Sequence, residues 1–168
     1  METAIEKKEP ILWLFTGAPG TGKTLSAEIM FEALCQEIEH LQGQAEKLTA
    51  NELYYRYQNF ARSKDYEERS QTKWCIRTLC NKIVLLDDLG SEPRTEASYA
   101  FMQNLFSVHY NWLREGHRNY VIITTNLNSN EITDIYGERV IDRIYEYYTI
   151  VKFTGTSFRR KKMKIVEV

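Results

Sequence analysis

Three glycines, a lysine and two threonines stand close together near the start of this sequence, as Gly17-Ala18-Pro19-Gly20-Thr21-Gly22-Lys23-Thr24. The spacing is GxxxxGK[ST]. A short apolar run of strand type, Ile11–Phe15, leads into it, and helical periodicity follows. Glycines let such a loop curl until its backbone N–H groups point inward, and the next helix adds its N-terminal dipole; both favour a phosphate. Lys23 is expected to reach the β/γ-phosphates of ATP and the Thr24 hydroxyl to ligate Mg2+. Leu25 closes the same nucleotide-binding stretch, Gly17 to Leu25.

A second group follows the buried-type strand Lys82–Leu86, whose run Ile83-Val84-Leu85-Leu86 ends in Asp87-Asp88. Two adjacent carboxylates after four apolar residues are costly unless a cation is near. Mg2+ carried by ATP is such a cation. Asp87 is expected to hold it, directly or through water, and Asp88 to orient and polarise the attacking water. A solvated Asp-Asp turn before Gly90 is the plain alternative, weakened by the phosphate loop upstream. A third apolar strand, Tyr120–Thr125, carries a polar tip, Thr124-Thr125-Asn126. Asn126 could bond the γ-phosphate or the attacking water, or simply cap a turn into Asn128-Ser129-Asn130.

These groups need strands that end together. The periodicity predicts a helix from Leu25 to about His40, a weak strand over Ala45–Thr49, and a helix to about Ala61 that Asn51 could cap. Ser63–Ser70 reads as a charged loop, Gln71–Leu79 as a short helix and Thr95–Arg114 as a long one. Ile132–Tyr145 reads as helical around Gly137, and Thr149–Phe153 as a final strand. Strands alternating with helices imply an α/β fold with a central, mostly parallel sheet flanked by helices. In such sheets ligands sit at the carboxyl ends of the strands.

The chain has 168 residues, which suits one domain over 1–168, with an extension over 1–10 and a basic tail over 159–168. At 43% apolar and 12% aromatic residues it can build a core. No stretch has the length of a membrane span, and no signal-peptide core follows the first charges. The net charge of −1 divides into +4 on residues 159–168 and −5 on the rest, so any nucleic-acid site must be local. Cys35, Cys75 and Cys80 are odd in number and lack paired spacing, which fits a reducing cytoplasm rather than a disulfide framework or zinc site. His40, His109 and His117 do not cluster with Cys or acids. Trp13, Trp74 and Trp112 read as core or interface residues.

Taken together, GAPGTGKT, LLDDLG, TTN, GERVIDR and SFRR resemble an AAA+ ATPase of the DnaC/DnaI/IstB type, the replicative-helicase loaders and transposition helper ATPases of bacteria and phages. The resemblance spans roughly residues 11–160. It implies a P-loop NTPase fold without a sizeable lid domain, ATP hydrolysis with Mg2+, and self-association into a ring or spiral. Gly17–Thr24 matches the Walker A motif and Asp87-Asp88 the Walker B, where many relatives have Asp-Glu. Asn126 matches sensor 1, Arg143 the arginine finger that reaches a neighbouring subunit's ATP, and Arg159 sensor 2. Arg139 stands one helical turn before Arg143, so both can share a face. Without the resemblance, both arginines could equally pair with Glu138, Asp142 or Glu146. The implied partners are a replicative helicase, or alternatively a transposase, and single-stranded DNA, in the cytoplasm of a bacterial or phage-infected cell. Related loaders also carry an N-terminal domain that grips the helicase, whereas about ten residues precede the first strand here.

Glu52 to Lys64 mixes aromatic and basic residues, and relatives resemble one another in placing a single-strand-binding helix in this region. Tyr54, Tyr55 and Arg56 are the candidate DNA contacts, by stacking and phosphate pairing. An ordinary helix burying Leu53, Tyr57 and Phe60 is the competing reading. The tail Arg159-Arg160-Lys161-Lys162-Met163-Lys164 could touch phosphates or simply be solvated. A small P-loop metabolite kinase shares the length and the loop. It would be expected to show an acceptor-binding carboxylate and an Arg-rich lid instead of the Asp-Asp pair, the strand-tip Asn and the late arginines. A module that uses ATP only to gate assembly also fits these residues.

Overall fold

The computed structural model describes residues 11–37 and 45–157. Five strands form one sheet in the order β2-β3-β4-β1-β5, with every neighbouring pair parallel. They are β1 (Ile11–Gly17), β2 (Ala45–Thr49), β3 (Ile83–Leu89), β4 (Tyr120–Thr125) and β5 (Thr149–Phe153). Between them run α1 (Lys23–Glu37), α2 (Ala50–Arg62), α3 (Tyr66–Ser70), α4 (Thr72–Ile76), a 3-10 turn (Thr78–Cys80), α5 (Glu96–Arg114), α6 (Ser129–Tyr136) and α7 (Glu138–Tyr147). Among the described residues no lid domain follows β5, and no helix is long and apolar enough to cross a membrane.

Strand periodicity divides the core into two layers. Ile11, Phe15, Ile83, Leu85 and Ile122 pack on one face with Ala27 and Leu34 of α1. Leu12, Leu14, Val84, Leu86, Val121 and Ile123 pack on the other with α2, α5, α6 and α7. Strands apolar on both sides are what a parallel sheet covered on both faces requires. The same parity places Asp87 and Thr124, each two residues beyond a position on the α1 face, toward α1.

Local details depart from the sequence expectations. Thr49, not Asn51, caps α2: it accepts from the Glu52 N–H while the Glu52 side chain bonds back to the Thr49 N–H. The expected loop over 63–70 contains the short helix α3, capped by Asp65, whose Oδ1 accepts from Glu67 and Glu68. The expected single helix over 71–79 is α4 followed by the 3-10 turn. Gly137, at φ +86, splits the expected Ile132–Tyr145 helix into α6 and α7. That backbone conformation strains any residue with a Cβ, so the helix axis changes there. Ile29 of α1 is 59% exposed, while Ala27, Leu34 and the partly buried Met30 and Phe31 pack against the sheet. All three cysteines are free thiols.

Candidate functional site

The carboxyl ends of β1, β3 and β4 converge, and each delivers polar residues to one place. β1 runs into the glycine-rich loop, and α1 begins at Lys23 itself. Gly22 has φ +97 and open space where a Cβ would stand, so the loop can take its turn here only with a residue free of side-chain strain. Gly20 lies against the chain after β5, where an added Cβ would stand 2.1 Å from Ser157 Oγ. Thr21 braces the loop from within by donating to the Ala18 carbonyl at 2.8 Å.

Lys23 is buried, at 6% exposure. Its ammonium donates to the Gly17 and Ala18 carbonyls at 2.7 and 2.9 Å and to Asn126 Oδ1 at 2.8 Å. Asn126 then donates through Nδ2 to Asp88 Oδ1 at 2.9 Å. Asn126 therefore stands between the loop lysine and the second acid. On the other side Thr24 donates to Asp87 Oδ1 at 3.0 Å, and Thr124 donates to the same oxygen at 2.5 Å. Lys23, Asn126 and Asp88 form one chain of hydrogen bonds and Thr24 and Asp87 another, joined through Thr124, whose hydroxyl also accepts the Asp88 N–H at 2.9 Å.

The acids differ in setting. Burial first, and the Asp87 charge beside it second, raise the Asp88 carboxyl above its ordinary value, with Lys23 opposing. That direction suits a group that handles a proton. A hydroxyl and a carboxylate held 3.0 Å apart form the hard oxygen donor pair that Mg2+ prefers. Among the described residues no three or more His, Cys, Asp or Glu converge on a metal site. Thr24 and Asp87 would fit a Mg2+ that took its other ligands from water and nucleotide phosphate, the usual mode for this ion. Leu25, at 63% exposure, presents apolar surface beside the loop.

The arginines lie elsewhere. Arg143 on α7 donates to Ser107 Oγ, and its guanidinium sits 5.0 Å from the centre of the Tyr110 ring. Both partners belong to α5. Arg139 and Arg143 line one groove of about 310 Å3 with Gln103, Ser107 and Glu138, as their spacing foretold. Arg159 lies outside the described residues.

One DNA candidate is corrected. Tyr54 is buried at 2% exposure, with its ring 5.8 Å from Phe101 and its hydroxyl accepting from Gln58 at 2.7 Å. The stripe of α2 that packs on the core includes position 54 as well as 53, because an amphipathic helix buries residues at i, i+3 and i+4. Tyr55 remains 48% exposed. Arg56 is exposed but engaged, 3.1 Å from Glu46 and 5.9 Å from the centre of the Trp74 ring.

Sequence reasoning missed two residues beside the acids. Thr124 stands out in the sequence only as part of a polar strand tip. Glu92 is buried at 3%, accepting from the Gly90 N–H at 3.1 Å and from the Tyr136 hydroxyl. A glutamate just before a proline in a surface-type stretch carries no burial signal; a tyrosine 44 residues away creates it.

A curled loop with a buried lysine, facing a strand-end acid pair and asparagine, defines a P-loop nucleoside triphosphatase. The chain belongs to the AAA family of ATPases associated with various cellular activities, whose pattern matches residues 13–147. No curated protein matches it. Several solved structures share the fold. The DnaC helicase loader superposes with a TM-score of 0.66 at 22% identity, over 84% of this chain and 77% of that one. A DNA replication initiation factor gives 0.58 at 17%, and AMPPCP-bound DnaA from Aquifex aeolicus 0.59 at 16%. The chain spans 43% of each of these last two.

Proposed function

We propose that this chain is a Mg2+-dependent ATPase of the helicase-loader kind, acting as an oligomer on single-stranded DNA together with a replicative helicase. The observation that carries the ATPase reading is the continuous bridge Lys23–Asn126–Asp88 beside Thr24–Asp87. Lys23 can exchange its carbonyl partners for phosphate oxygens without moving its backbone. Asn126 is positioned to sense that exchange, since the lysine and the second acid share its amide. Asp88 then orients the attacking water and takes its proton. Thr24 and Asp87 would hold the metal, which would supply charge neutralisation at the transferred phosphoryl group. Fold similarity to DnaC supports the loader reading. Tyr55 and Arg56 remain the surface residues suited to a DNA strand.

Arg143 serves a neighbour's nucleotide in this reading. Its contacts are on α5, in an open groove, which suits a group that crosses to another subunit. Specific activity should then rise with protein concentration. Mixing Arg143→Ala with Lys23→Ala should restore hydrolysis that neither shows alone, since one interface then holds both intact parts. An arginine finger contributes on the order of 10³-fold or more, so partial rescue is measurable. Concentration-independent activity with no rescue on mixing would remove the trans assignment. Turnover with and without single-stranded DNA, and pull-downs against a replicative helicase and a transposase with a slowly hydrolysed ATP analogue, test the partners.

A further inference from the structure

The ladder between β3 and β4 breaks at one place. Leu86 pairs with Ile123, and the next pair is Leu89 with Thr125. Two residues of β3, Asp87 and Asp88, therefore face one residue of β4, Thr124. This is the arrangement of a β-bulge, which bends a strand and re-aims side chains. Asp88 takes φ +57, and it is the only non-glycine residue with positive φ among those described. Such a conformation persists where its surroundings impose it.

A bulge removes ladder partners, so the displaced backbone groups must be satisfied elsewhere. Here a side chain does so. Thr124, 1% exposed, accepts the Asp88 N–H at 2.9 Å through Oγ1. The same hydroxyl donates its proton to Asp87 Oδ1 at 2.5 Å. One group thus holds the backbone of the second acid and the carboxylate of the first. Thr125, next along, closes the far side of the bulge by donating to the Leu89 carbonyl at 2.7 Å. A valine at 124 has the same shape and could do neither.

We infer that Thr124 is a positioning residue for the acid pair: its hydroxyl fixes the Asp87 carboxylate for the metal and the turn that aims Asp88 at the water. This rests on the reading of Asp87 and Asp88 given above. Thr124 acts through the two acids and has no direct role toward the nucleotide. Its loss should therefore separate metal use and turnover from nucleotide affinity.

The test compares Thr124→Val and Thr124→Ser with the unaltered chain, with Asp88→Asn alongside. Thr124→Val should lower kcat about 10-fold or more and raise the Mg2+ concentration needed for half-maximal turnover several-fold, with KM for ATP within about twofold. As a readout independent of turnover, the Mg2+ dependence of binding a fluorescent, slowly hydrolysed ATP analogue should shift by the same several-fold. Thr124→Ser keeps the hydroxyl and should restore both to within about twofold. If Thr124→Val matches the unaltered chain in kcat and Mg2+ dependence, the inference is overturned. It is equally overturned if Thr124→Ser fails as badly as valine, since the methyl packing would then be what matters. The serine comparison decides even where the valine variant does not fold. Normal hydrolysis by Asp88→Asn would instead sink the underlying reading of the acids.

Discussion

The strands β3 and β4 carry a polar cluster at each end, and the two are built on opposite terms. At the carboxyl end stand Lys23, Asp87, Asp88, Thr124 and Asn126, in which charged groups share hydrogen bonds through one amide and one hydroxyl. At the amino end stand His109, Asn119 and Tyr148. Asn119, just before β4, donates to the Leu79 and Asn81 carbonyls at 2.5 and 2.9 Å. His109 lies between Asn119, at 3.3 Å, and the Tyr148 hydroxyl, at 2.9 Å. His109 and Asn119 are each 1% exposed. The second cluster is neutral, enclosed and complete without any ligand. It ties α5, the 3-10 turn and the starts of β4 and β5 together. The first has acids at close range and a half-exposed aspect, so its bonds can be exchanged. A polar cluster serves chemistry where its charges are open to trade, and stability where they are neutral and closed.

This contrast can be broken by experiment. Lys23→Ala should cost the most, on the order of 10³-fold in turnover, together with loss of tight ATP binding, because a cation facing the phosphates is removed from a low-dielectric site. Steady-state hydrolysis and a fluorescent-nucleotide titration check it. The thermal midpoint should move by only a few degrees; a collapsed fold would show that the carboxyl-end cluster is structural too.

Asp88→Asn should retain nucleotide binding and lose about 10²- to 10³-fold in turnover, the usual scale for a general base. The variant should be no less stable than the unaltered chain. Asparagine accepts the left-handed backbone at this position, and the like-charge contact with Asp87 disappears. A melting curve beside the rate measurement separates the two effects.

The amino-end cluster predicts the reverse pattern, with stability changing and chemistry intact. Burial pushes the His109 imidazole down from 6.5 to about 4, the Asn119 bond opposing. The folded state therefore binds fewer protons than the unfolded chain across that window. Stability is full above about 6.5 and is lost as pH falls toward 4. The loss amounts to about 3 kcal/mol for this one group. Denaturant titrations at neutral and acid pH measure it, and His109→Gln should flatten that part of the profile. Equal slopes for both proteins would contradict the buried neutral imidazole.

The smallest effect belongs to Tyr148→Phe. Removing the hydroxyl leaves His109 Nδ1 without that partner and should cost about 1–2 kcal/mol. Specific activity per folded molecule should not change. A fall in kcat without a fall in stability would couple the two ends and erase the distinction between them.

Much of the carboxyl-end site was legible because its residues are contiguous in sequence and unusual in type. GxxxxGK[ST] sits in eight positions, Asp87-Asp88 ends an unbroken apolar strand, and Asn126 tips another. Each anomaly is local, so each could be read without knowing what lies opposite. Strand and helix order followed from periodicity for the same reason, and four of the strands begin where the pattern placed them. Tyr54 is not told from a surface residue by its sequence context, because aromatic and basic residues interleave on α2 and only the packing of α5 shows how wide the buried stripe is.

What the sequence determined by itself was the chemistry available: a phosphate loop, an acid pair, a strand-tip amide and a late pair of arginines on one helical face. These are matters of residue type and short spacing. Tertiary structure decided how they connect. That Asn126 bridges Lys23 and Asp88, that Thr124 bonds to both acids, and that Arg143 rests on Ser107 and Tyr110 each join positions 33 or more residues apart. It also decided that His109 is a buried neutral link rather than a surface base. A hydrogen bond depends on tenths of an ångström between atoms brought together by folding, and no local pattern encodes the distance between strands that pair only when the sheet closes.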